Sequence, residues 1–210
     1  MSALDFFFSS LRLEKRTGFC DIDLSKMAKA IPALAAAIII LSDAGFKYSG
    51  DTNSNSKACT DVHKKKIYIG RDKSNCEACL SLAYELTNAK NALKIKNAHQ
   101  QYLSDKAPSS ERALTYANEI LLIEAEAVFH RSMVAISTGL ESQIKNKKYL
   151  EIVRSNDGHL ECINKIFSEI QQNGTVHNGK KKALEHYINQ YFQYNKHLEV
   201  KQKQILLLGY

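Results

Sequence analysis

The scarcity of helix-breaking residues is the strongest constraint on what this chain can fold into. Only two prolines, Pro32 and Pro108, and nine glycines occur in 210 residues. Proline and glycine are the residues that most often interrupt regular segments, so long helices are allowed and a many-stranded sheet is disfavoured. The hydrophobic fraction of 44% and the charged fraction of 24% are typical of a folded globular protein. We therefore expect an α+β fold that is mostly α.

The spacing of apolar residues and of capping residues predicts the individual elements. The expected helices are 3–13, a segment from Asp21 or Asp23 to Ser42, 76–98, about 112–137, 147–154, 159–172, and a last helix from near Lys181. The expected strands are Phe46–Tyr48, Ala58–Val62 and Lys66–Ile69. About three short strands make a small sheet that needs helices packed on it to be stable.

The apolar run Ile31–Leu41 is about half as long as a membrane-spanning helix. It is apolar all round, which predicts a helix in the centre of the core rather than a transmembrane segment. No long linker and no internal repeat is visible, so residues 1–210 are expected to form a single domain. Residues 1–20 carry five charged side chains without a cleavable pattern, so no secretory leader is expected.

The formal net charge of +7 raises the question of an acidic partner. Its lysines form three separate clusters, Lys64–Lys66, Lys147–Lys148 and Lys180–Lys182, without interleaved arginine and aromatic residues. This pattern favours a solvated basic surface and no specific nucleic-acid site. A contact with an anionic surface is kept as an alternative function.

Five cysteines without a leader predict reduced thiols in a cytoplasmic protein. Cys76 and Cys79 have the spacing of redox and zinc motifs. A structural zinc site would need two further ligands, and a redox pair would need a thioredoxin-like setting that the sequence does not indicate. We interpret this spacing as coincidental, with Cys79 in the core.

The stretch Tyr84-Glu85-Leu86-Thr87-Asn88 is the main candidate for a site. It lies on the expected helix 76–98, which follows the strand Lys66–Ile69. Tyr84 and Asn88 are one helical turn apart on one face, and Glu85 is about 100° round from Tyr84. In a metalloprotease helix, the pattern His-Glu-x-x-His places two imidazoles on one face for zinc, with the glutamate as general base. Here the glutamate occupies the corresponding position, and both histidines are replaced.

The strand, the loop, this helix and an acidic helix after it together resemble the minimal zincin-like metallopeptidase fold of bacterial type, including secreted-effector peptidases. The resemblance covers about residues 25–137, which leaves about 147–210 as a C-terminal helical extension. It implies further site residues on the following helix, where Glu119, Glu124, Glu126 and His130 lie. Tyrosine and asparagine are poor zinc ligands, so no metal and no other cofactor is expected.

These residues leave several interpretations open. Tyr84, Glu85 and Asn88 could hydrogen-bond to Glu124, Glu126 or His130 and tie two helices together. They could instead form a degenerate site that binds a peptide or small ligand, or a working metal site with Glu85 as its catalytic residue. The expected function is a non-catalytic binding or interaction protein, a pseudoenzyme with a protein or peptide partner. The alternative is a bacterial effector hydrolase, either a peptidase or a Cys/His-dependent enzyme, located in the bacterial cytoplasm or translocated into a host cell.

Overall fold

The computed structural model describes residues 32–49, 58–69, 75–103, 107–155, 157–176, 179 and 181–207. Within these residues the chain forms α-helices joined mostly by short connections. The helices are α1 Pro32–Asp43, α2 Asn75–Lys90, α3 Ala92–Tyr102, α4 Ser110–Thr138, α5 Lys147–Arg154, α6 His159–Asn173 and α7 Ala183–Leu207. The expected helix 3–13 and the expected start of the next helix near Asp21 lie outside the described residues. The prediction of a mostly α, α+β fold is confirmed.

The three strands expected from the sequence form one small mixed sheet. They are β1 Lys47–Ser49, β2 Ala58–Asp61 and β3 Lys66–Ile69, in the order β1-β3-β2. β1 runs parallel to β3, and β2 runs antiparallel to it. α2 packs on this sheet, and the buried side chains of Ile67 and Ile69 on β3 form part of the same core as its apolar face.

The ends of the long helix α4 were correctly predicted from local residues. The Ser109 side chain caps its first turn by accepting a hydrogen bond from the Arg112 backbone N–H at 3.2 Å. Gly139 ends the helix in the left-handed conformation, with φ 70°, which glycine adopts at little cost. α4 therefore spans 29 residues without interruption. α2, α3, α5, α6 and α7 all pack against it.

Two local features differ from the sequence-based expectation. The predicted helix 76–98 is divided at Asn91 into α2 and α3, and the Asn91 side chain bonds to the Thr87 carbonyl and to Glu126. A short hairpin, β4 Thr175–Val176 with β5 Lys181–Lys182, precedes α7. The sequence predicted a turn at Asn178-Gly179 without these two strands, which are too short to show an alternating pattern.

The prediction that the apolar run Ile31–Leu41 lies at the centre of the core is wrong. In α1 the side chains of Ile38 and Leu41 are buried, but Ile40 is 66% exposed. α1 covers one side of the core near α2, and the central position belongs to α4. None of the helices in the described part of the chain is both long and apolar enough to cross a membrane.

The Leu82 side chain of α2 is fully buried in the core, so its replacement tests the packing of α2 against the rest of the core. We expect Leu82→Ala to lower the free energy of unfolding by about 2–5 kcal/mol, because it leaves a cavity that the core does not refill. Leu160 is 75% exposed, and Leu160→Ala is the matched control, with an expected change within about 0.5 kcal/mol. Urea denaturation measures both; equal losses would contradict the placement of Leu82 in the core.

Candidate functional site

Two polar links fix α2 against α4 in an antiparallel register. Thr87 Oγ1 lies 3.1 Å from Nδ1 of His130, and Asn91 Nδ2 donates to Oε2 of Glu126 at 3.0 Å. As the numbering rises from Thr87 on α2 to Asn91 just after it, the numbering of their partners on α4 falls from 130 to 126. Lys90 adds an ion pair with Glu126 at 3.6 Å. The sequence predicted polar ties between these helices, and the residues that make them are Thr87 of α2 and Asn91 between α2 and α3.

Glu85 faces the sheet. The hydroxyl of Thr60 on β2 lies 2.8 Å from Oε2 of Glu85 and 3.0 Å from its backbone carbonyl oxygen. The side chain is 5% exposed. Its negative charge also acts on Arg131 of α4, where it opposes the effect of burial on the pKa of the guanidinium. Glu85 therefore links α2 to the sheet, and its charge favours the protonated form of the Arg131 guanidinium.

A cavity of about 550 Å³ lies beside this helix pair. Its walls come from α2, α4, the segment 143–149, the segment from the end of α6 through the β4–β5 hairpin, and α7. The lining residues on the two central helices are Glu77, Leu80, Ser81, Tyr84, Leu121, Glu124, Val128, Arg131 and Ser132. Six of these nine residues are polar or charged and three are apolar, so the wall is more polar than that of a typical small-molecule site.

Arg131 and Ser132 line the cavity, and each carries a polar atom without a hydrogen-bond partner. Nε of Arg131 and Oγ of Ser132 are buried and have no hydrogen-bond partner. Within the described residues, the Arg131 guanidinium makes no close ion pair, although Glu85 and Glu77 are near enough to attract it. Unsatisfied buried donors are rare in native proteins because each one costs free energy. Both atoms are covered by protein, whereas Arg131 as a whole is half-buried, so a bound group would meet Arg131 through the part of its side chain that stays accessible.

Glu124 carries the second polar group of the cavity. Tyr187 of α7 donates a hydrogen bond to Oε1 of Glu124 at 3.1 Å. Burial raises the pKa of Glu124 from 4.5 to about 7, although the Tyr187 hydrogen bond works in the opposite direction. The same burial and the nearby carboxylate raise the pKa of Tyr187 well above its usual value. This carboxyl group is therefore divided between its neutral and charged forms near neutral pH.

The structure separates the six predicted site residues into different surroundings. Tyr84 and Glu124 line the cavity, Glu85 faces β2, and Glu126 and His130 bond to α2. Asn88 is buried, and its Oδ1 has no hydrogen-bond partner.

The sequence did not predict Arg131 and Ser132 as site residues, nor that residues after 140 would form part of the cavity wall. The spacing of Glu124, Val128 and Arg131, at steps of four and three, was a signal that could have revealed the stripe on α4.

The arrangement does not fit a zinc site. Tyr84 and Glu85 point to different surroundings, and neither a phenol nor a carboxamide replaces an imidazole as a strong zinc ligand. Among the described residues, no three His, Cys, Asp or Glu side chains come together in a group suited to a metal ion.

The lysine clusters are partly engaged within the protein. Lys64 pairs with Asp61 at 3.4 Å, and Lys148 pairs with Glu169 at 2.8 Å. The Lys147 ammonium donates to the Glu141 carbonyl oxygen at 2.7 Å. These contacts account for some of the exposed positive charge and single out no surface for an anionic partner.

No protein-family model, no curated protein and no solved structure matches this chain. The likeness to zincin-like peptidases therefore stays a prediction that rests on the residues quoted for it. The cavity and its polar groups are the strongest functional feature of the described residues.

Glu124→Gln tests the charge state of the cavity. Because the folded protein holds the proton of Glu124 more tightly than the unfolded chain does, this residue lowers stability as pH rises from about 4.5 to about 7. We expect the loss of unfolding free energy between about pH 5 and about pH 8 to be smaller in Glu124→Gln by about 1–3 kcal/mol. Denaturant titrations at the two pH values measure it.

Glu161→Gln makes the same chemical change at an exposed position of α6 and is the matched control. Its unfolding free energy should change between the two pH values by the same amount as that of the wild-type protein. If Glu124→Gln and Glu161→Gln behaved alike, the assignment of a buried, proton-holding carboxyl at Glu124 would be wrong.

Proposed function

We propose that this chain is a non-catalytic binding protein whose site is the cavity between α2, α4 and the C-terminal elements. Its occupant is a small amphipathic molecule or a short segment of a peptide. The observation that carries this proposal is a cavity of about 550 Å³ whose wall holds the half-buried Arg131, a residue with no close ion pair among the described residues.

The size of the cavity supports binding, and its mixed lining suits an amphipathic occupant. Ligand sites in proteins usually measure about 300–1,000 Å³. Leu80, Leu121 and Val128 supply apolar surface from the two central helices, and Tyr84 and Tyr187 add aromatic surface with hydroxyl groups. Tyrosine suits such a wall because its ring packs against apolar groups while its hydroxyl bonds to polar ones.

The absence of catalysis is supported by the surroundings of Glu85. A general base needs hydrogen-bond reach to the proton that it removes. Glu85 instead accepts a hydrogen bond from Thr60 and does not line the cavity. The zincin-like and effector assignments remain part of the proposal, with the chain viewed as a degenerate metallopeptidase that retains binding.

Fluorescence titration with anilinonaphthalene sulfonate, a dye of suitable size with an apolar body, tests whether the cavity binds ligands. We expect saturable binding of one dye per native chain. Val128→Trp places a larger side chain in the wall and should weaken binding by about tenfold or more, because it removes space without adding charge. Circular dichroism establishes that the variant is folded.

Leu160→Ala is the control for dye on exposed apolar surface, since Leu160 is 75% exposed and does not line the cavity. It should leave the dissociation constant within about twofold of the wild-type value. Absence of saturable binding, or equal binding by the wild-type protein and Val128→Trp, would overturn the proposal.

The non-catalytic part of the proposal has its own measurement. Protein purified without chelator should contain far less than one zinc per chain, because Tyr84 and Asn88 are not zinc ligands of useful strength. Elemental analysis by plasma mass spectrometry measures the content. A value near one zinc per chain that fell in Glu85→Gln would contradict a protein without a metal site.

A further inference from the structure

The polar groups of the cavity are arranged along one stripe of α4. Glu124 and Arg131 are seven residues apart, which places them two helical turns and about 10 Å apart on nearly the same face. Val128 lies between them, and all three line the cavity. The carboxyl group and the guanidinium therefore occupy different ends of the α4 wall, with apolar surface between them.

The guanidinium end lacks a short-range partner. Nε of Arg131 and Oγ of Ser132 are buried and unbonded, while Glu124 at the other end already accepts a hydrogen bond from Tyr187. An arginine presents its donors in a planar fork that matches an oxyanion with two or more oxygen atoms. The unsatisfied end of the cavity is thus a donor end.

We infer that the cavity binds an amphipathic molecule with an anionic head, a carboxylate or similar oxyanion, held by Arg131, and that its apolar body lies along Val128, Leu121 and Leu80. This inference rests on the proposed function, since it names the ligand class of the same cavity.

The charges around the cavity favour an anionic head. Arg131 and Lys145 both line the cavity, and Glu77 lines it as well. Glu85 acts on Arg131 from the side of the sheet and offsets part of the field of the guanidinium. Glu124, whose carboxyl is partly neutral near pH 7, adds less repulsion than a fully ionised carboxylate.

A pair of matched dyes tests the inference without any substitution. Anilinonaphthalene sulfonate carries a sulfonate, and phenylnaphthylamine has the same aromatic frame without charge. We expect the wild-type protein to bind the sulfonate about tenfold more tightly or better, because a charge-assisted hydrogen bond to arginine adds to the apolar contact. Equal affinities, or tighter binding of the neutral dye, would overturn the anionic head.

Substitution of Arg131 then locates the contact. Arg131→Gln should weaken binding of the sulfonate dye by about tenfold or more and change the dissociation constant of the neutral dye by less than about twofold. Retained binding of the neutral dye shows that the cavity is intact. Arg154→Gln removes one positive charge from an exposed residue of α5 that does not line the cavity, and it should leave both dyes unchanged. If Arg131→Gln and Arg154→Gln gave the same result, Arg131 would not be the anchor.

Arg131→Lys is the second variant if Arg131→Gln does not fold. It keeps the charge and loses the planar fork. We expect its affinity for the sulfonate dye to lie between the wild-type affinities for the sulfonate dye and for the neutral dye. A lysine variant with the full wild-type preference for the sulfonate would exclude the fork as the recognition element.

Displacement of the bound sulfonate distinguishes the sources of the carboxylate. Octanoate represents a free aliphatic acid, and N-acetylated dileucine with a free C-terminal carboxylate represents a peptide end. Their amides are the neutral controls. Displacement by either acid but not by its amide supports the inference and identifies the source, whereas equal displacement by acid and amide overturns it. If neither dye binds at all, the cavity is not a ligand site and the proposed function fails first.

Discussion

The antiparallel packing of α2 against α4 is the constraint on which the rest of the structure depends. Thr87 with His130 and Asn91 with Glu126 form two polar links one helical turn apart on each helix. A slip of one residue would rotate each side chain about 100° away from its partner and leave buried polar groups unpaired. The links thereby define both the register of the helices and which faces remain for other partners.

The cavity follows from that register and from the difference in helix length. α4 has 29 residues and α2 has 16, so α4 carries contacts to α5, α6 and α7 beyond those to α2. The segment 143–149 and the β4–β5 hairpin complete the walls. The C-terminal part, which the sequence suggested as an extension to a zincin-like core, thus supplies part of the candidate site itself.

Features that depend on neighbouring residues were predictable, and features that depend on distant residues were not. Ser109 and Gly139 mark the ends of α4 because capping is a local interaction. The separation of Tyr84 from Glu85 depends on Thr60 and on residues beyond 140, which lie far along the chain. Arg131 and Ser132 were not predictable as site residues, because a lone Arg-Ser pair resembles ordinary helix surface until the elements that bury it are in place.

Tyr84 and Glu85 lie in different surroundings, so the side chains of the stretch that resembles a metallopeptidase motif do not converge on one point. In a metallopeptidase the glutamate acts as a base beside side chains that bind the metal. Here the corresponding positions hold the Tyr84 phenol and the buried Asn88 amide. The hydrogen bond of Glu85 with Thr60 stabilises the sheet contact. Burial lowers the pKa of the Arg131 guanidinium, and the charge of Glu85 works in the opposite direction. Arg131 itself lies in the wall of the neighbouring cavity. The glutamate of the motif thus acts on a cation of α4, and the proposed binding surface lies along the stripe of α4 rather than at the motif.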